Sequence, residues 1–225
     1  MTDFMPNIED LLHGFLARVQ APRALTLQAA AQTQLTRAVE RAQTQLLSGP
    51  EPVLVVALAG CTGAGKSALT NALAGAVIAE MSDKRPTTTR LRVYHHRDTP
   101  SGGLPVELAS AATFVPHDRP ELRTKVIIDT PDLDSFATQH REITRQVLRA
   151  AGLTLYVFSP EKYLEERTWS ILREERHFSA SAAVLNKADQ LTSEELTQIT
   201  EDLRQRFAEI GLENIRIFRT CALAH

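Results

Sequence analysis

From Val53 onward the chain alternates short, almost wholly apolar runs with amphipathic stretches. The runs read VLVVALA, LRVYHH, TKVIIDT, LTLYVF, AAVLN and IRIF, beginning at Val53, Leu91, Thr124, Leu153, Ala182 and Ile215. A strand that is apolar on both sides belongs in a sheet covered on both faces, which requires crossover connections and hence mostly parallel strands. The pattern therefore predicts a three-layer α/β fold with a mostly parallel sheet. Upstream the period changes. Residues 8–20 and 24–47 carry apolar positions at helical spacing, with Leu35, Val39, Ala42 and Leu46 on one face. SGPEP at 48–52 ends that pattern, because Gly49, Pro50 and Pro52 cannot continue a helix.

The expected organisation is an N-terminal helical segment over 1–50 followed by an α/β domain over 51–225. The apolar face of the second helix approaches heptad spacing, so it packs either against its own domain or against a second copy. Between Arg97 and Arg123, Ser101, Gly102, Gly103 and four prolines interrupt the strand pattern, with PVELASAATF expected to form a short helix.

Composition narrows the class without choosing a function. Hydrophobic residues make up 43%, charged residues 23%, and the net charge is −2, which gives no nucleic-acid signal. The longest apolar run, Val53–Gly60, is far shorter than the roughly 18 residues of a membrane helix. The start, MTDFMPNIED, has no basic and apolar leader, so a cytoplasmic setting is expected. With two cysteines, Cys61 and Cys221, no disulfide framework is expected.

The chemistry enters where the first strand ends. Gly60-Cys61-Thr62-Gly63-Ala64-Gly65-Lys66-Ser67 fits G-x-x-x-x-G-K-[ST] between a strand and the helical run ALTNALAG. Glycines let backbone N–H groups converge on phosphate oxygens at a helix N-terminus. Lys66 is expected to reach the β- and γ-phosphates, and the Ser67 hydroxyl to hold Mg2+. This motif alone leaves ATP and GTP open. Asn186-Lys187-Ala188-Asp189 follows the strand AAVL. The Asp189 carboxylate can accept from N1–H and the 2-amino group of guanine, a donor pair adenine lacks. Lys187 can cover the base with its alkyl stem, and Asn186 can tie the loop together.

GCTGAGKS, RPTTTR, DTPD, NKAD and TCA occur in this order. The combination resembles the P-loop GTPases of the translation-factor-related (TRAFAC) class, over residues 53–223. RPTTTR is similar to switch I of Era-like and dynamin-like members, and DTPDLDS with SPEKY resembles bacterial dynamin-like GTPases. The resemblance implies a nucleotide cradle of Gly60, Thr62, Gly63, Ala64, Gly65, Lys66, Ser67 and Ala68. It implies base contacts from Asn186, Lys187, Asp189, Cys221 and Ala222, and Mg2+ held by Ser67, Thr88 and Asp129. Lys66 and Thr88 would serve hydrolysis directly. Cys61 and Cys221 would lie at opposite ends of one nucleotide, too far apart to bond. The chain ends three residues after TCA, where the family adds a helix. The resemblance thus implies a continuation beyond His225, through which membrane association could arise.

DTPDLDS departs from the family pattern. Asp132 stands where glycine is expected, and its carboxylate is expected to point away from the phosphates, since like charges at short range repel strongly. Leu133 stands where Ras-like proteins orient water with glutamine, and it has no hydrogen-bonding group. Arg85, Arg90 and Lys125 are candidate cations. The expected activity is Mg2+-dependent GTP hydrolysis, slow unless raised by self-association or a partner. The alternatives are a GTP-sensing binding module with negligible hydrolysis and an ATP-using P-loop kinase.

Overall fold

The computed structural model describes residues 53–77, 91–99, 106–110, 112–134, 138–176 and 179–222. The segments expected to form N-terminal helices, with Leu35, Val39, Ala42 and Leu46, and the RPTTTR run with Arg85, Thr88 and Arg90 lie outside the described residues. The chain divides into the units Met1–Val53 and Leu54–His225, and every described helix and strand belongs to the second.

Seven strands form one sheet. In chain order they are β1 (Leu54–Gly60), β2 (Leu91–His96), β3 (Ala112–His117), β4 (Lys125–Asp129), β5 (Leu153–Phe158), β6 (Ala180–Leu185) and β7 (Arg216–Arg219). The order across the sheet is β3-β2-β4-β1-β5-β6-β7, and every pairing is parallel except β2 with β4. The helices are α1 (Lys66–Ala74), α2 (Val106–Ser110), α3 (Thr138–Ala150), α4 (Glu166–Glu175) and α5 (Ser193–Glu209). The α/β fold with a mostly parallel sheet, expected from the uninterrupted apolar runs, is the one observed.

The central strands are buried as their composition requires. In β1, residues Val55 to Gly60 are all buried, and in β4 so are Val126 to Asp129. Beside β5 and β6, Phe158, Trp169 and Phe207 form an aromatic cluster with ring centroids 4.9 to 5.9 Å apart. The Trp169 indole donates to Tyr163 O at 2.8 Å, so its buried polar atom is satisfied. Between α3 and α4, Arg149 forms a two-bond pair with the fully buried Glu175.

One strand was not foreseen. ATFVPH forms β3 at the sheet edge, pairing in parallel with β2 after the short helix α2. Pro116 cannot donate to a ladder, and an edge strand is where that is tolerated. The short helix expected in PVELASAATF is present as α2, and it ends before that strand begins. No helix among the described residues is long and apolar enough to cross a membrane.

Candidate functional site

Parallel order brings the motif-bearing loops together, because β1, β4, β5, β6 and β7 all end on one side of the sheet. The loop after β1 is the phosphate loop, Asp129 closes β4, Asn186 follows β6 and Thr220 follows β7. β2 runs the other way, so its first residues lie at the same end, with Arg92 in register with Asp129.

The phosphate loop is shaped by two close approaches. Gly65 caps α1 at φ 89°, and a Cβ there would sit 2.1 Å from Asn186 Nδ2. A Cβ on Gly60 would sit 2.2 Å from Val157 O, where β1 meets β5. Beyond Gly65, the opening turn of α1 holds Lys66, Ser67 and Ala68, whose backbone N–H groups have no partner within the helix. Such an N-terminus favours anions.

Lys66 is 5% exposed, and its ammonium donates to Gly60 O at 3.0 Å, Cys61 O at 3.1 Å and Asp132 Oδ1 at 2.6 Å. Asp132 therefore does not point away from the phosphate loop as its charge suggested. It is buried against the Lys66 ammonium, a counter-charge that the expectation did not weigh. Thr62 Oγ1 lies 2.9 Å from Asp132 Oδ2 and 2.8 Å from Asp134 Oδ1. Asp134 Oδ1 also accepts from Thr62 N at 2.8 Å, and its other oxygen from Lys162 Nζ at 3.2 Å. Burial alone would raise the Asp134 carboxyl, but the Thr62 donors and the Lys162 ammonium hold it below the ordinary aspartate range. Leu133 is fully buried, and its N–H donates to Gly60 O at 3.1 Å.

Asp129 is fully buried at the end of β4. Its Oδ2 accepts from Ser67 Oγ at 2.8 Å, while its Oδ1 is buried with no hydrogen-bond partner. Burial raises the Asp129 carboxyl, against which the Lys66 charge and the Ser67 hydrogen bond both act. A buried carboxylate oxygen without a donor is costly. An orphan oxygen beside a serine hydroxyl is an all-oxygen set that suits a hard divalent cation such as Mg2+.

At the other end, Asn186 joins three loops. Its Nδ2 donates to Ala64 O at 3.2 Å, and its Oδ1 accepts from Thr220 Oγ1 at 3.2 Å and Ala222 N at 3.0 Å. Thr220 O in turn accepts from Ala188 N at 3.0 Å. Thus NKAD, TCA and the phosphate loop form one connected unit. Lys187 adopts φ 59°, the sole positive value outside glycine among the described residues. That conformation costs roughly 1–2 kcal/mol for a residue with a Cβ. The Lys187 ammonium lies 3.5 Å from Glu161 Oε1, a partner from the SPEKY segment. Asp189 is exposed in the short turn Ala188–Gln190.

Cys61 and Cys221 form no disulfide. Burial pushes the Cys61 thiol up to about 11, and its contact with Thr168 Oγ1 at 2.8 Å opposes this only in part. Lys125, a candidate cation, donates to Glu121 O at 2.8 Å. Asp134 lies in DTPDLDS and Lys162 in SPEKY, yet sequence reasoning gave neither a role. Only the fold brings Lys162 to Asp134 and Asp134 to Thr62.

Residues 55–204 match the family described as 50S ribosome-binding GTPases. No curated protein matches the sequence. Among solved structures, a variant of Era from Aquifex aeolicus bound to GDP and AlF4− aligns with TM-score 0.55 at 20% identity. That alignment covers 76% of this chain and 52% of the other, so the chain spans about half of Era's length. A member of an oligomerised bacterial dynamin pair aligns with TM-score 0.61 at 17% identity, over 95% and 38%. Toc33 from Arabidopsis thaliana aligns with TM-score 0.54 at 19% identity, over 89% and 82%. At these identities the likeness is one of fold.

Proposed function

Because the chain belongs to the 50S ribosome-binding GTPase family, we propose that it is a guanine-nucleotide switch that hydrolyses GTP to GDP and phosphate. The observation that carries this reading is the Asn186 junction, which ties the NKAD and TCA loops directly to the phosphate loop. Gly60, Thr62, Gly63, Ala64, Gly65, Lys66, Ser67 and Ala68 cradle the phosphates. Asp189 reads the guanine edge, Lys187 covers the ring, and Cys221 and Ala222 offer backbone N–H groups toward the guanine oxygen.

Ser67 and Asp129, with Thr88 from the segment before β2, would hold Mg2+, which when bound neutralises charge on the β- and γ-phosphates. The orphan Asp129 oxygen supports this assignment. Lys66 supplies the protein's own positive charge. Thr88 would also report the terminal phosphate, ordering its loop in the triphosphate state.

A second reading, a GTP-sensing module with negligible hydrolysis, is favoured by one observation: the buried Leu133 offers the attacking water no hydrogen bond. Both readings share the nucleotide site. A fluorescent guanine nucleotide should be displaced by GDP and not by ADP, which also separates them from an ATP-using kinase. Asp189→Asn should weaken GDP binding by at least tenfold and favour xanthine nucleotides, whose 2-oxo group accepts where guanine's amino group donates. Displacement by ADP as readily as by GDP would remove the guanine assignment.

A further inference from the structure

We propose that Asp132 is an internal stand-in for the terminal phosphate, and that it sets the preference of this site between nucleoside triphosphate and diphosphate, a role that rests on the guanine-nucleotide site proposed for this chain. An ammonium has three donors, and those of Lys66 are met by Gly60 O, Cys61 O and Asp132 Oδ1. A triphosphate can gain Lys66 only by replacing one of these acceptors. Two are backbone carbonyls fixed by the phosphate loop. The third is a side-chain carboxylate at 2.6 Å, an anion on the cation that the phosphates require.

The carboxylate can leave without dismantling its surroundings. Thr130 and Leu133 on either side are fully buried, with Thr130 Oγ1 bound to Leu58 O at 2.7 Å and Leu133 N to Gly60 O at 3.1 Å. The hold of Asp134 on Thr62 and Lys162 is separate and survives the change. The Thr62 hydroxyl has one proton for two carboxylates, so losing Asp132 leaves it satisfied by Asp134. Rotation of the Asp132 side chain between two fixed anchors therefore frees Lys66. The backbone of the turn stays anchored to the phosphate loop through Leu133 N on Gly60 O.

The γ-phosphate would add its charge where DTPDLDS meets the phosphate loop, so a triphosphate must displace Asp132. A diphosphate meets Lys66 through its β-phosphate alone and sets no γ-phosphate charge against the carboxylate, so it competes with Asp132 less. Asp132 then lowers triphosphate affinity selectively and stabilises the diphosphate and nucleotide-free states. Glycine at this position would remove the competitor.

The test is the ratio of two affinities. Binding of GDP and of the non-hydrolysable β,γ-imido analogue of GTP is measured in excess Mg2+ for the wild-type chain, Asp132→Asn and Asp132→Gly. The asparagine keeps the volume and removes the charge; the glycine removes the side chain, so a folding defect of one variant leaves the other informative. Both should bind the triphosphate analogue at least tenfold more tightly relative to GDP than wild type does. Binding of both nucleotides with an unchanged ratio, or a shift toward GDP, overturns the role of Asp132 and leaves the nucleotide site standing. If wild type and both variants bind neither guanine nucleotide, the functional reading falls and this inference with it.

Discussion

At the scale of single residues, the site depends on places where a side chain cannot fit and on atoms left without partners. Gly60 is the clearest case of the first. Its missing Cβ allows Val157 O to approach where β1 and β5 pair, at a point a Cβ would reach within 2.2 Å. The contact is backbone, so no flexible group can give way. Gly60→Ala should destabilise the domain by about 1–3 kcal/mol through overpacking, read as a lower midpoint in urea unfolding with an unchanged slope. A loss below about 0.5 kcal/mol would mean that the strands shift without resistance. Several of these features were readable from the sequence, because a phosphate loop and NKAD each compress a local geometry into adjacent residues. The orientation of Asp132 was not. Weighing its charge against the phosphates alone omitted Lys66, which lies 66 positions away and is its partner at 2.6 Å.

At the scale of elements, the strand periodicity located the parallel core, since a strand buried on both faces announces itself by composition. The edge was harder to see. β3 mixes Thr113, Phe114, Val115 and Pro116, half-buried or exposed, and its proline argues locally against a strand. Yet its last residue is chemically informative. His117 is 7% exposed and stacks on Tyr94 at 4.2 Å, with the His96 ring 5.4 Å away. Its Nδ1 accepts from Arg119 N at 3.1 Å, which places the proton on Nε2, a buried atom with no partner. Protonating Nδ1 would set a donor against a donor. Burial lowers the His117 value below 6.5, helped by His96, His95 and Arg119 and opposed only by Asp118. The folded state therefore binds this proton less readily than the unfolded chain. Its contribution to stability is full above 6.5 and is lost as pH falls through the lower folded value. The melting temperature should drop between about pH 7.5 and about pH 5.5, and His117→Asn should shrink that drop. An equal drop in both proteins would assign the pH dependence to other groups.

At the scale of the whole molecule, the question is what would complete the proposed hydrolysis, since Leu133 in DTPDLDS offers an attacking water no side-chain hydrogen bond. Phosphoryl transfer depends on charge neutralisation, and a cation supplied from outside can raise the rate by ~10³ to 10⁵. The sequence leads to the expectation that a second copy supplies it, meeting this chain through the GTPase face or through the helices expected at 8–47. A bimolecular requirement has a kinetic signature that a self-contained site lacks. Turnover per molecule should rise with protein concentration and level off as the dimer saturates, and light scattering should place the mass transition in the same range. Arg85 and Arg90 flank the switch I motif in sequence, and Arg90→Ala mixed with wild type would show whether one copy supplies the cation to the other. Turnover per molecule that stays constant from the most dilute to the most concentrated sample would mean that each copy positions its own water. The group that orients the water would then lie among the polar groups of the phosphate loop or be Asp132 itself.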